Sequence, residues 1–257
     1  LIMRNQVMQE LGLKKIIITK EPQSCAQLFA QLYEDVRLHY SDNRSSAEYY
    51  TFGWSGLLNS EERYNDAKIL YNELKTLTKR VQKKHPHTII KIVAYSHGAN
   101  VVLNMAEIHE QNSDSDDFAI DEVIMLGVPV QRETDCFAAS PFFKKIYNIY
   151  SRYDRIQTMD CFSTIRLFSD RRFKDSARCS IENKIKQINI QITGPLKTQK
   201  SPGHIELWYF GWKGSSMWYR KNFPLYPLPT ALFIPYLVKT IDTYCPHTRN
   251  GHVITLQ

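Results

Sequence analysis

Ile89-Ile90-Lys91-Ile92-Val93-Ala94-Tyr95-Ser96-His97-Gly98-Ala99-Asn100 changes its periodicity at the centre. From Thr88 to Tyr95 the residues are mostly β-branched, aliphatic or aromatic, with Pro86 behind them, and they predict a short buried strand. From His97 to about Glu110 the apolar positions Val101, Val102, Met105, Ala106 and Ile108 follow helical spacing, and the polar stretch Gln111–Asp117 closes them. Ser96 therefore falls on a tight strand-to-helix turn, which would lift its side chain clear of the sheet edge. The free N–H groups and positive dipole end of the helix would face any oxyanion developing there. Small residues at 94 and 98 are expected to let strand and helix come close around the turn. The plain alternative is an ordinary strand–helix junction with Ser96 as the helix N-cap.

Upstream of this turn, Leu28, Phe29, Leu32, Tyr33 and Val36 predict a helix over 23–38, and 39–47 reads as a loop. Tyr49–Trp54, aromatic and Thr-containing, reads as a strand ended by Ser55 and Gly56. A long helix is expected from about Ser60 to Lys83, with Ala67, Leu70, Leu74, Leu77 and Val81 on one face and Ser60, Glu61 and Glu62 suiting its start. Downstream, Glu122–Val128 and Ile146–Tyr150 read as buried strands and Ile185–Ile192 as an alternating one. Thr230–Tyr244 reads as an amphipathic helix interrupted by Pro235. Strands alternating with helices predict an α/β class with a mostly parallel central sheet and helices on both faces. No repeat or domain linker is visible, so 1–257 reads as a single domain, with a candidate lid or surface excursion around 155–184.

Bulk properties narrow the function. Hydrophobic residues at 43% and charged residues at 23% suit a folded globular chain rather than a disordered one. The net charge of +7 is spread over short pairs such as Lys79–Arg80, Lys83–Lys84, Lys144–Lys145 and Arg171–Arg172. It reads as solvated surface rather than a nucleic-acid footprint. Five cysteines, odd in number and without a CxxC pair, argue against a disulfide framework and a zinc site, so no metal is expected and a reducing compartment such as the cytoplasm is favoured. No apolar run is long enough for a transmembrane helix. The start at Leu1 rather than methionine suits a fragment or a processed form, and Leu1–Arg4 does not read as a secretory signal.

Ala94-Tyr95-Ser96-His97-Gly98 resembles the Gly-x-Ser-x-Gly elbow of the α/β-hydrolase fold family, with alanine in place of the first glycine, as in lipase-like members. A serine hydroxyl needs an adjacent base, and the base needs an orienting group. The family's order is Ser, then Asp or Glu, then His. Asp154 follows the expected strand 146–150, just past its C-terminal end, where ligands gather in parallel sheets, with Asp160 as runner-up. His204, in Ser201-Pro202-Gly203-His204, lies on a loop past strand 185–192 and resembles the family's catalytic histidine; His252 is its rival. His39, His85, His87 and His109 sit in or beside polar segments and read as non-catalytic.

The resemblance covers roughly 45–245 and implies Ser96 as nucleophile, His204 as base and Asp154 as its orienting group. It also implies two backbone oxyanion donors. One is the N–H of His97. The second has no His-Gly pair to mark it before Ser96. Either the oxyanion strand lies upstream of Leu1, so that the N-terminal strands of the fold are missing, or Lys15–Thr19 is that strand with a loop near Lys20–Glu21, or Trp54 in Gly53-Trp54-Ser55-Gly56 supplies the donor. The expected activity is hydrolysis of a small-molecule or lipid ester without a cofactor, with Trp54, Tyr95, Trp208 and Trp212 suiting an apolar acyl group. A thioesterase or acyltransferase on the same scaffold, or a binding protein with an impaired site, are the other readings.

Overall fold

The computed structural model describes residues 11–19, 25–40, 46–112, 118–158, 169–174, 184–193, 199–208, 230–244 and 252–256. In chain order the elements are β1 (Gly12–Ile16), α1 (Cys25–Tyr40), β2 (Tyr49–Gly53), α2 (Ser60–Gln82), β3 (Lys91–Tyr95), α3 (Gly98–Gln111), β4 (Ile120–Leu126), a 3-10 turn (Asp135–Ala139), β5 (Phe143–Tyr150), β6 (Ile185–Thr193), β7 (Gln199–Lys200), α4 (His204–Trp208), a second 3-10 turn (Thr230–Phe233), α5 (Ile234–Tyr244) and β8 (His252–Leu256). They divide into two compact units, Leu57–His204 with His247–Gln257, and Leu1–Gly56 with Ile205–Pro246.

The larger unit is built on a sheet in which β3, β4, β5 and β6 lie side by side in chain order, each parallel to the next. β8 also pairs parallel to β6, and the short β7 pairs with it antiparallel. The sheet is therefore α/β and mostly parallel. β4 explains why it forms at the centre: Ile120, Val123, Ile124, Met125 and Leu126 are all fully buried. Burying each such side chain is worth about 1.5–3 kcal/mol. Helices α2 and α3 pack on each other; α2 buries Ala67, Leu70, Tyr71 and Leu74, and α3 buries Val101, Val102, Met105 and Ala106. The cap of α2 is one residue earlier than its sequence suggests. Asn59, in extended conformation, accepts from the N–H groups of Glu61 (2.8 Å) and Glu62 (3.4 Å), and Ser60 is already helical.

The smaller unit corrects three expectations. Tyr49–Trp54 is not a member of the parallel sheet: β2 pairs antiparallel with β1 in a separate two-stranded sheet. The burial pattern gives the reason. Lys14 and Lys15 on β1 are exposed and most of β2 is half-buried, whereas a strand inside a parallel sheet must be covered on both faces. The early strand itself is Gly12–Ile16 rather than Lys15–Thr19, and the Lys20–Glu21 loop lies outside the described residues. Nor does Pro235 interrupt a helix. It is the second residue of α5, in a first turn that leaves its missing N–H unneeded, and Thr230–Phe233 forms a 3-10 turn before it.

His109 lies beside the polar stretch that closes α3, as its sequence suggests, yet its ring packs on aromatic side chains. It sits on α3 within an aromatic cluster, stacked on Phe142 (centroids 4.6 Å, 29°), with Nδ1 3.1 Å from the Tyr71 hydroxyl. Partial burial, reinforced by the nearby Lys75 charge and opposed by Glu110, holds its pKa below the ordinary value. The unfolded chain therefore binds this proton more readily than the folded one. The stability contributed by the neutral ring is complete above about pH 6.5 and is lost as pH falls from there through the lower folded value. Urea titrations at falling pH are expected to show this loss, and His109→Gln is expected to show a smaller one. An identical pH slope in both proteins would remove His109 as the cause.

Candidate active site

Three strand ends of the larger unit carry the site. β3 runs into Ser96, whose N–H continues the ladder by donating to Leu126 O (2.9 Å). The chain must then reverse into α3 within two residues, and Ser96 takes φ 53°, the only positive φ at a non-glycine among the described residues. A left-handed conformation costs an ordinary residue about 1–2 kcal/mol, so the turn stores strain at the serine. Ser96 is not the helix cap. That position is His97, with helical φ −62° and ψ −19° and no side-chain cap bond.

The Ser96 hydroxyl is engaged elsewhere. His204 Nε2 lies 2.9 Å from Ser96 Oγ, and His204 Nδ1 lies 2.7 Å from Asp154 Oδ2. A carboxylate only accepts, so Nδ1 carries the proton and Nε2 is left to accept from the serine. Burial is graded along the relay: Asp154 is 0% exposed, His204 is 8% exposed and Ser96 is partly exposed. A buried carboxylate is tolerable only when its oxygens are satisfied. Here the second oxygen, Oδ1, accepts from the N–H of Gln157 (3.0 Å).

The turn after β5 is itself braced. Gln157 is fully buried, donates through Nε2 to Val128 O (2.6 Å), and accepts at its backbone carbonyl from Ser169 Oγ (2.5 Å). Arg171 donates from Nε (3.2 Å) and Nη2 (2.9 Å) to the backbone carbonyl of Asp154. Arg171 was expected to be solvated surface. It is instead a brace for the Asp154 turn, while Arg172 is exposed. Nothing in the sequence separates the two, because the brace depends on a distant carbonyl. The spacing of Asp154 and Gln157 is a readable signal, since Asp side chains commonly accept from a backbone N–H a few residues on.

Tyr95 is the third group that sequence reasoning left without a role at the relay. Its hydroxyl donates to the carbonyl of His204 (2.9 Å), and its ring lies against the imidazole (centroids 4.9 Å, 34°). Burial, with the Asp154 charge added, pushes its phenol well above the usual range, so it remains a neutral donor.

The remaining sequence candidates have plainer positions. His97 follows Ser96 and accepts at its carbonyl from the N–H groups of Asn100 and Val101. Trp54 is a partly buried residue at the end of β2, in the smaller unit. Trp208 packs on Phe29 (5.2 Å) in that same unit. His252 opens β8, in register with Ile188. Asp160, Trp212 and most of the 155–184 excursion lie outside the described residues.

Gly98 is not needed for close packing. A β-carbon placed there meets nothing within 4 Å, and its φ is not in the left-handed region. Gly98→Ala is expected to leave stability unchanged or raise it by up to about 1 kcal/mol, since alanine is the better helix former. A fall in denaturation midpoint would show that the turn needs glycine after all.

No group of His, Cys, Asp and Glu side chains suited to a metal occurs among the described residues, and no described helix is long and apolar enough to cross a membrane. No protein-family model matches the chain, and no curated protein or solved structure matches it either.

Proposed function

We propose that the chain is a serine hydrolase of the α/β-hydrolase type that cleaves carboxylic esters of small-molecule or lipid substrates. The observation that carries this reading is the unbroken relay from Ser96 Oγ through His204 to Asp154, with the serine held in a strained left-handed turn. In this reading Ser96 Oγ attacks the ester carbonyl while His204 Nε2 takes its proton. Collapse of the tetrahedral intermediate breaks the carbonyl–alkoxy bond, and His204 returns the proton to the leaving alcohol. Water then attacks the acyl-enzyme, giving its proton to His204, and the second collapse frees the acid and restores the serine. Asp154 holds the Nδ1–H tautomer and stabilises the imidazolium formed in each half. The N–H of His97, at the start of α3, is the proposed oxyanion donor. The steps balance without a cofactor.

A fluorophosphonate probe tests the reading directly, because it labels a serine only where the hydroxyl is activated. Labelling of the folded protein at Ser96, with turnover of activated esters, is the expected result. A panel that also holds thioesters and amides assigns the leaving group. Absence of labelling and of turnover in folded protein would reduce the relay to a structural hydrogen-bond chain.

A further inference from the structure

We propose that Tyr95 is a positioning residue that ties the base to the nucleophile, its hydroxyl holding the His204 backbone and its ring holding the imidazole plane. The inference rests on the hydrolase reading for its effect on rate, but the tether itself is geometric. His204 is separated from Ser96 by more than a hundred residues of chain and opens α4, a helix of five residues. A side chain so placed has little local structure to fix it. Its two ring hydrogen bonds set where the nitrogens lie, yet neither restrains the backbone that carries the ring.

Tyr95 supplies that restraint twice. The bond from its hydroxyl to His204 O fixes the main chain at the point where the ring is attached. The tilted ring contact, with centroids 4.9 Å apart, limits rotation of the imidazole out of the line between Asp154 and Ser96. The same contact places an aromatic ring beside the imidazole as it gains a proton, an arrangement that favours the cation. Tyr95 can do this because it is the last residue of β3 and directly precedes Ser96. The strand that aims the nucleophile therefore also aims the base, and movement of one carries the other with it. Misplacement of a reacting group by an ångström can cost on the order of 100-fold in rate.

The test compares wild type, Tyr95→Phe and Tyr95→Leu, with Ser96→Ala as the activity control. Tyr95→Phe keeps the ring and deletes the tether. It is expected to lower kcat about ten-fold with KM within about two-fold of wild type, at temperatures where circular dichroism shows it folded. Tyr95→Leu, lacking ring and hydroxyl, is expected to lose about 100-fold. The second readout is the proton NMR resonance of the His204 Nδ1–H held against Asp154. It is expected to broaden and exchange faster with solvent in Tyr95→Phe. Ser96-dependent activity that is unchanged in Tyr95→Phe overturns the proposal and leaves the hydrolase reading standing. If wild type turns over no ester, the hydrolase reading falls and the resonance alone judges the tether: broadened in Tyr95→Phe it stands, unchanged it is overturned.

Discussion

Ser96→Ala is expected to abolish ester hydrolysis, by on the order of 10⁶-fold in kcat, while the protein stays folded. The hydroxyl is the group lost, and among the described residues it is hydrogen-bonded to His204 Nε2, so little packing depends on it. Ser96→Gly should be equally inactive but more stable than Ser96→Ala by about 1 kcal/mol, because glycine adopts φ 53° without the steric penalty that any β-carbon meets. Measured together, the two variants separate the chemistry of the hydroxyl from the strain of the turn. Wild-type activity in either would end the assignment of Ser96 as nucleophile. Equal stability of the two would mean that the turn stores no strain worth relieving.

The second large effect is expected at the far end of the relay. Asp154→Asn preserves shape and can still accept from Gln157 N–H, so the turn after β5 should hold. The amide, however, can present an N–H to Nδ1, which then becomes the acceptor, and the imidazole proton moves to Nε2. A protonated Nε2 cannot accept from Ser96. The expected loss in kcat is about 10⁴-fold, with KM little changed, since the carboxylate does not face substrate. Burst kinetics with an activated ester would show slow acylation. A loss of less than ten-fold would mean that the Asp154 contact is structural and that another carboxylate orients His204.

The elements around this site differ in how far they could be read in advance. The strand 91–95 and the helix 98–111 were legible, because both carry their period locally: a β-branched run, then apolar residues three and four apart. The same holds for α2, β4 and the core of β5. Ser96, Asp154 and His204 were singled out for a different reason, the order that the family resemblance implies, and the structure brings the three side chains together. The two-stranded pairing of β1 with β2 was not legible, since a short aromatic strand reads alike in either sheet until its neighbours are known. α4 was missed because five residues make little more than one helical turn, too short for a 3.6-residue period to register, and β8, as long as β3, was not read as a strand.

Sequence alone determined the α/β alternation and the strand–serine–helix junction, because both follow from side-chain periodicity and turn geometry within a few residues. Tertiary structure alone decided which groups hold the relay in place. Arg171 bonds a carbonyl 17 residues away and Tyr95 one 109 residues away, and neither bond leaves a local trace. Hydrogen bonds to backbone carbonyls make no demand on the side chain of the residue that accepts them. Such a partner can be any residue, and only the folded chain says which one it is.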